Sequence, residues 1–190
     1  MSQPARFAAL LLYAGLSAGL ALHSVPAQAQ NEASPERDAT REQLRQILQT
    51  GGARTDVGVD FRQSTKQPYN FVGSMTGLSN SDSFEIVVSV TKNSTIGFRV
   101  YPHYHSGYIN LGRAKDRAGL MRALLGYNDT NFLYWGADDT SDVFAGYTFT
   151  LESGFPSDAI LVVLRSLRNQ DKFVGELRPV IDGSVAPATK

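Results

Sequence analysis

Apolar residues recur along this chain with two different periods. Leu44, Ile47 and Leu48 repeat at helical spacing, as do Leu120, Met121, Leu124 and Leu125, and again Ile160, Val163, Leu164 and Leu167. Positions three and four apart share one face of a helix, so three amphipathic helices are predicted. Between them the period is two. Val57, Val59 and Phe61 alternate with polar residues, as do Phe84, Ile86, Val88 and Val90, then Ile96, Phe98 and Val100, and later Val143, Ala145, Tyr147, Phe149 and Leu151. Alternation of this kind predicts strands with one buried face.

Local signals set the boundaries. Ser34 is placed to cap the first helix, Pro35 suits its first position, Glu36 and Asp38 lie near its positive end, and Gly51–Gly52 is expected to stop it. Residues 69–75 form a weaker strand. Lys92, Asn93 and Ser94 make a hairpin connection between the two cleanest strands. Gly126 is expected just beyond the second helix. Strands at 131–136 and 143–151 are joined by a polar turn holding Asp138, Asp139 and Asp142. The last helix starts near Pro156, with Asp158 in its first turn and Arg165 and Arg168 toward its negative end. The predicted architecture is α+β: an antiparallel sheet with three packed helices, in the order helix, three to four strands, helix, two strands, helix.

The amino-terminal residues change the biological setting. Arg6, the uncharged apolar run 7–22 and the small-x-small sequence Ala27–Gln28–Ala29 make residues 1–29 a cleavable signal peptide. The run is shorter than the ~20 residues of a bilayer span, so no stable membrane insertion is expected after cleavage. Residues 30–34 read as a mobile leader, 35–182 as a single α+β domain and 183–190 as a flexible tail. The destination is periplasmic or secreted. Cysteine is absent from the sequence, which leaves packing alone to hold the exported domain and removes thiolate chemistry. The chain carries 18 basic and 18 acidic residues, and this balance argues against nucleic acid as a partner.

Candidate chemistry is sparse. His103 and His105, two apart, would share one face of a strand and could both reach a metal, but no third ligand is evident. Pro102 before them and Ser106–Gly107 after them place the pair at a strand end. The Asp138, Asp139 and Asp142 spacing lacks the alternating carboxylates and glycine of a calcium loop, and a hairpin turn accounts for it. Neither a Gly-x-Ser-x-Gly elbow nor a phosphate loop is present, so no enzyme activity, metal or cofactor is expected. Tyr134 and Trp135 are the aromatics best suited to contact a partner. Being adjacent on a strand, they face opposite ways, so one can be buried and the other available. The sequons at Asn93 and Asn128 are read as chance in a bacterial envelope protein.

The segment Leu124–Leu125–x–x–Asn128, the aromatic strand Phe132–Leu133–Tyr134–Trp135 and the passage Leu151–Glu152–Ser153–Gly154–Phe155–Pro156, in this element order, resemble the YbjN-like family. The resemblance covers roughly residues 35–169 and implies a fold like that of type III secretion chaperones. Members are treated as sensory transduction regulators or chaperone-like binding proteins without an established catalytic centre, so no site residues carry over. The signal peptide departs from type III chaperones, which act in the cytoplasm. The expectation is an exported, non-enzymatic protein that binds another protein, with a homodimer allowed. The alternative is an envelope small-molecule or polysaccharide binding protein, in which Tyr134 or Trp135 stacks on the ligand and the acidic turn supplies hydrogen bonds.

Overall fold

The computed structural model describes residues 33–183. The expected signal peptide, most of the leader and residues 184–190 of the tail lie outside that range. The first helix, α1 (Pro35–Gly52), begins as expected. The Ser34 hydroxyl accepts the Arg37 amide at 3.2 Å, and Leu44 and Leu48 are fully buried. The strands are β1 (Arg62–Gln63), β2 (Asn70–Met75), β3 (Ser83–Val90), β4 (Thr95–Tyr104), β5 (Gly107–Tyr108), β6 (Tyr134–Ala137) and β7 (Val143–Thr150), with α2 (Arg117–Thr130) between β5 and β6. They form one antiparallel sheet in the spatial order β1-β2-β3-β4-β7-β6, with β5 folded back on the far end of β4.

The register places the alternating apolar residues of β3, β4 and β7 on one face. Ile86 pairs with Val100, Val88 with Phe98 and Val90 with Ile96 across β3 and β4. Ile96 and Val100 face Phe149 and Ala145 on β7. These side chains are buried under the helices, and each large one stabilises the fold by about 1.5–3 kcal/mol relative to exposure. Chain turns fit the pattern: the Lys92–Ser94 connection closes the β3–β4 hairpin, with Thr91 donating to the Thr95 carbonyl at 2.9 Å.

Several boundaries differ from expectation. The 57–61 segment alternates in burial but forms no strand, and the chain joins the sheet only at the two residues of β1 that follow it. The Val59 amide instead donates to the Gly52 carbonyl at 2.8 Å, so this backbone is engaged by the end of α1 while Val59 and Phe61 fill the space over Gly52 and Gly73. Gly51 and Gly52 belong to the last turn of α1 rather than stopping it. A Cβ on Gly51 would stand 2.7 Å from Leu161, so the bare backbone lets α1 approach the C-terminal helices. Gly126 lies inside α2, which continues to Thr130. Its buried stripe is Leu120 and Leu124, so Met121 (48% exposed) and Leu125 (69% exposed) turn outward. The predicted strand 131–136 begins only at Tyr134.

The third helical region is longer than predicted and bent. It comprises α3 (Ser157–Ser166), a 3₁₀ turn at Leu167–Gln170 and α4 (Asp171–Asp182), ending at Gly183 in the left-handed conformation (φ 71°). Two side chains of α4, seven residues apart and therefore on one face, clamp the 79–81 loop. The buried Asp171 carboxylate accepts the Ser79 and Asn80 amides at 2.7 and 2.9 Å and the Ser81 hydroxyl at 2.7 Å. Arg178 donates to the Asn80 carbonyl at 2.6 Å. Among the described residues, no helix is long and apolar enough to cross a membrane.

Replacing Asp171 with Ala leaves those loop donors without their acceptor. Urea denaturation of Asp171→Ala should show a loss of about 2–3 kcal/mol, the cost of unsatisfied buried donors. Unchanged stability would mean that the loop finds other partners.

Candidate functional site

Every helix packs on the side of the sheet that carries the alternating apolar residues. The opposite face has no helix over it, and its side chains follow from the register: Val87 and Glu85 on β3, Thr95, Gly97, Arg99, Tyr101 and His103 on β4, Phe144 and Gly146 on β7, and Tyr134 on β6.

Tyr134 lies across Gly146, its cross-strand neighbour. A Cβ on that glycine would fall 2.7 Å from the Tyr134 ring, so the tyrosine rests on bare backbone while remaining 41% exposed. Phe144 meets Tyr134 edge-on with ring centroids 5.9 Å apart and meets Tyr101 at 5.7 Å. The Arg99 guanidinium covers Phe144 at 4.7 Å and donates to the Tyr101 hydroxyl at 3.3 Å. These covers leave Phe144 only 6% exposed on a face without helices. The aromatic row continues from Tyr101 to Tyr108 at 5.8 Å and on to His103 at 4.4 Å. Burial pushes the Tyr108 phenol up to about 12, aided by Glu85, which accepts its hydroxyl at 3.1 Å.

Trp135 points the other way, buried against Tyr127 and Phe173 at centroid distances of 5.7 and 6.0 Å. Of the two candidate aromatics, Tyr134 is therefore the one available for contact. The Trp135 backbone is also engaged. The Asn128 carboxamide accepts its amide and donates to its carbonyl at 3.1 Å. Asn128 thus satisfies Trp135 where a further strand would add to β6, and the two residues of β1 pair with Val72 and Phe71 of β2 at the opposite edge. Both edge strands are short, two residues in β1 and four in β6, and short edges resist strand addition.

The remaining candidates are separated or internally satisfied. His103 sits on the open face against Tyr108, its buried Nε2 without a hydrogen-bond partner. His105 occupies a tight turn with Ser106, both in the left-handed region (φ 56° and 62°), and its Nε2 lies 3.1 Å from Asp182 at the end of α4. The turn therefore sends the two imidazoles to different partners. Among the described residues, no group of three or more His, Cys, Asp or Glu converges as a metal site. In the acidic turn, Asp138 accepts the Thr140 and Asp142 amides at 3.0 and 2.9 Å, and Asp142 accepts from Asn110 at 2.8 Å. Asp139 is exposed at its tip. Burial acts to raise the Asp138 carboxyl, but its hydrogen bonds from Thr140, the Asp142 amide and Tyr101 outweigh that and hold it below its ordinary value.

Sequence reading missed Arg99, Tyr101, Tyr108 and Phe144. The signal was present in β4, where Arg99, Tyr101 and His103 occupy the alternate positions between apolar residues, but a polar face ordinarily reads as solvated. No protein family model, curated protein or solved structure matches the chain.

Gly146→Ala should destabilise by about 1–3 kcal/mol through overpacking, measured by urea titration, and Tyr134→Ala in the same chain should recover part of that loss; additive effects would mean that the ring does not rest there. Because the folded carboxyl is held below its unfolded value, Asp138 stabilises the turn above pH ~4 and ceases to do so as pH falls through its folded value. Asp138→Asn should therefore flatten the acid limb of the stability curve, and an unaltered limb would count against the assignment.

Proposed function

We propose that this chain is an exported, non-enzymatic protein of chaperone-like fold that binds a partner protein through the open face of its sheet, in the periplasm or after secretion. One observation carries the reading: all helices lie on one side, leaving Arg99, Tyr101 and Tyr134 grouped on the other. Tyrosine and arginine are the residues that most often dominate binding at protein interfaces, because each combines large contact area with directed hydrogen bonding. The short sheet edges favour recognition by this face. The resemblance to the YbjN-like family and its sensory transduction regulators, carried by the element order, belongs to the same proposal.

A second reading, an envelope polysaccharide or small-molecule binder, is favoured by the Tyr134 ring seated on Gly146, a platform suited to stacking. It no longer draws on Trp135, which is buried, or on the acidic turn, whose hydrogen bonds are largely internal.

A photo-crosslinking residue at Tyr134 separates the two. In intact cells of the source bacterium it should give a discrete protein adduct that disappears in the Arg99→Ala background, while the same probe at Leu125 on α2 should not give that adduct. Adducts identical at both positions, or a Tyr134 probe that captures only glycan, would overturn the protein-binding reading.

A further inference from the structure

The shortness of β6 leaves part of β7 uncovered. The β6–β7 ladder runs from Ala137 opposite Val143 to Tyr134 opposite Gly146 and stops there, while β7 continues to Thr150. On its other side β7 stays paired with β4 as far as Thr150. Residues 147–150 are thus a sheet edge in their own right, and among the described residues no strand pairs with that side of them.

Which groups point outward follows from the hydrogen bonds on either side. The Leu151 amide donates to the Ser94 carbonyl at 3.0 Å, toward β4, and the Asp138 amide donates to the Asp142 carbonyl at 3.0 Å, on the β6 side. Main-chain groups alternate sides along an antiparallel strand. The odd-numbered residues of β7 therefore bond to β4, and the even-numbered ones face the other way. Gly146 meets β6. Thr148 and Thr150 are exposed, and the amide and carbonyl of each look out where β6 has ended.

An extended backbone is what satisfies such a row, and the edge is shaped to receive its own copy. Residues 147–150 carry neither charge nor proline, the features that keep sheet edges apart, so a two-fold pairing sets no like charges against each other. The chain turns at Glu152, where the Gly154 amide closes on the Leu151 carbonyl at 3.0 Å. A second β7 laid antiparallel in the gap thus turns off before the place that Tyr134 holds. With Phe149 on the two-fold axis, Thr148 stands opposite Thr150 of the second copy, and every outward amide and carbonyl of residues 148 and 150 finds a partner. The facing threonines form a favourable cross-strand pair. On the helix side the exposed Phe132 ring stacks on Tyr147 at 4.8 Å, and Tyr147 meets Phe149 at 4.7 Å. This aromatic ladder lies along the gap, where a second copy covers it.

We infer that a second copy of this chain fills the gap: β7 pairs antiparallel with its own copy over residues 148–150, giving a two-fold dimer whose sheet runs across both chains. Such an interface is isologous and closes on itself. Its two-fold axis stands perpendicular to the sheet, so the open faces of both chains look the same way. The inference is independent of what the open face binds.

The test is the mass of the purified protein in solution, by light scattering after gel filtration over a dilution series. A dimer should appear. Thr148→Pro and Thr150→Pro each delete an outward amide and no bond to β4, and each should raise the dimer dissociation constant roughly tenfold or more, with thermal melts confirming that they fold. Cross-linking decides the register even if a proline variant does not fold. The chain has no cysteine, so oxidising an equimolar mixture of Thr148→Cys and Thr150→Cys chains should give a disulfide-linked dimer. Either variant alone should give little, because its two thiols lie two residues out of register. A monomer at every concentration, a dimer indifferent to both prolines, or cross-linking no greater in the mixture than in either variant alone overturns the inference. A Tyr134 photo-adduct that persists in such a monomer leaves the protein-binding reading standing.

Discussion

The structure depends on one-sided burial of the β3–β4 hairpin. Phe84, Ile86, Val88 and Val90 on one strand and Ile96, Phe98 and Val100 on the other put a continuous apolar surface on a single face. Side chains on a strand alternate, so a slip of one residue would turn every one of them into water. The helices must therefore all gather on that side, and their amphipathic stripes have nowhere else to be buried. The free face is the other half of the same constraint.

What closes the helical layer is polar. Arg37 joins the start of α1 to the end of β3 through the Val90 carbonyl and stacks on Tyr69, whose hydroxyl donates to Asp38 at 2.8 Å. At the opposite end, Asp171 and Arg178 take hold of the 79–81 loop by its amides and carbonyls. A carboxylate buried to 6% exposure is tolerated because several donors converge on it. Asn128 does the equivalent for the sheet edge, completing the hydrogen bonding of Trp135 with a side chain in place of a strand.

These closures determine the character of the surface that remains. The free face offers side chains rather than backbone, and its central feature is an arginine over a phenylalanine bordered by two tyrosines. Gly146 provides the seat for Tyr134, and Gly97 provides the open floor beside Arg99. Rigid aromatic rings held this way lose little conformational freedom on contact.

Periodicity in the sequence was sufficient for the α+β class, the β3–β4 hairpin, the N-terminal cap at Ser34 and the opposite orientations of Tyr134 and Trp135, because each is fixed by side-chain spacing or by a cap within a few residues. It misplaced residues 57–61, whose alternation reports burial while their backbone engages the end of α1, and it read Gly51, Gly52 and Gly126 as stops where tertiary packing lets the helices run through. It also missed α4, whose place is set by a loop about ninety residues away in sequence. The aromatic face was beyond its reach for the same reason. Arg99, Tyr101, Phe144 and Tyr134 come from three strands, and only the pairing of β4 with β7 and of β7 with β6 brings them onto one surface.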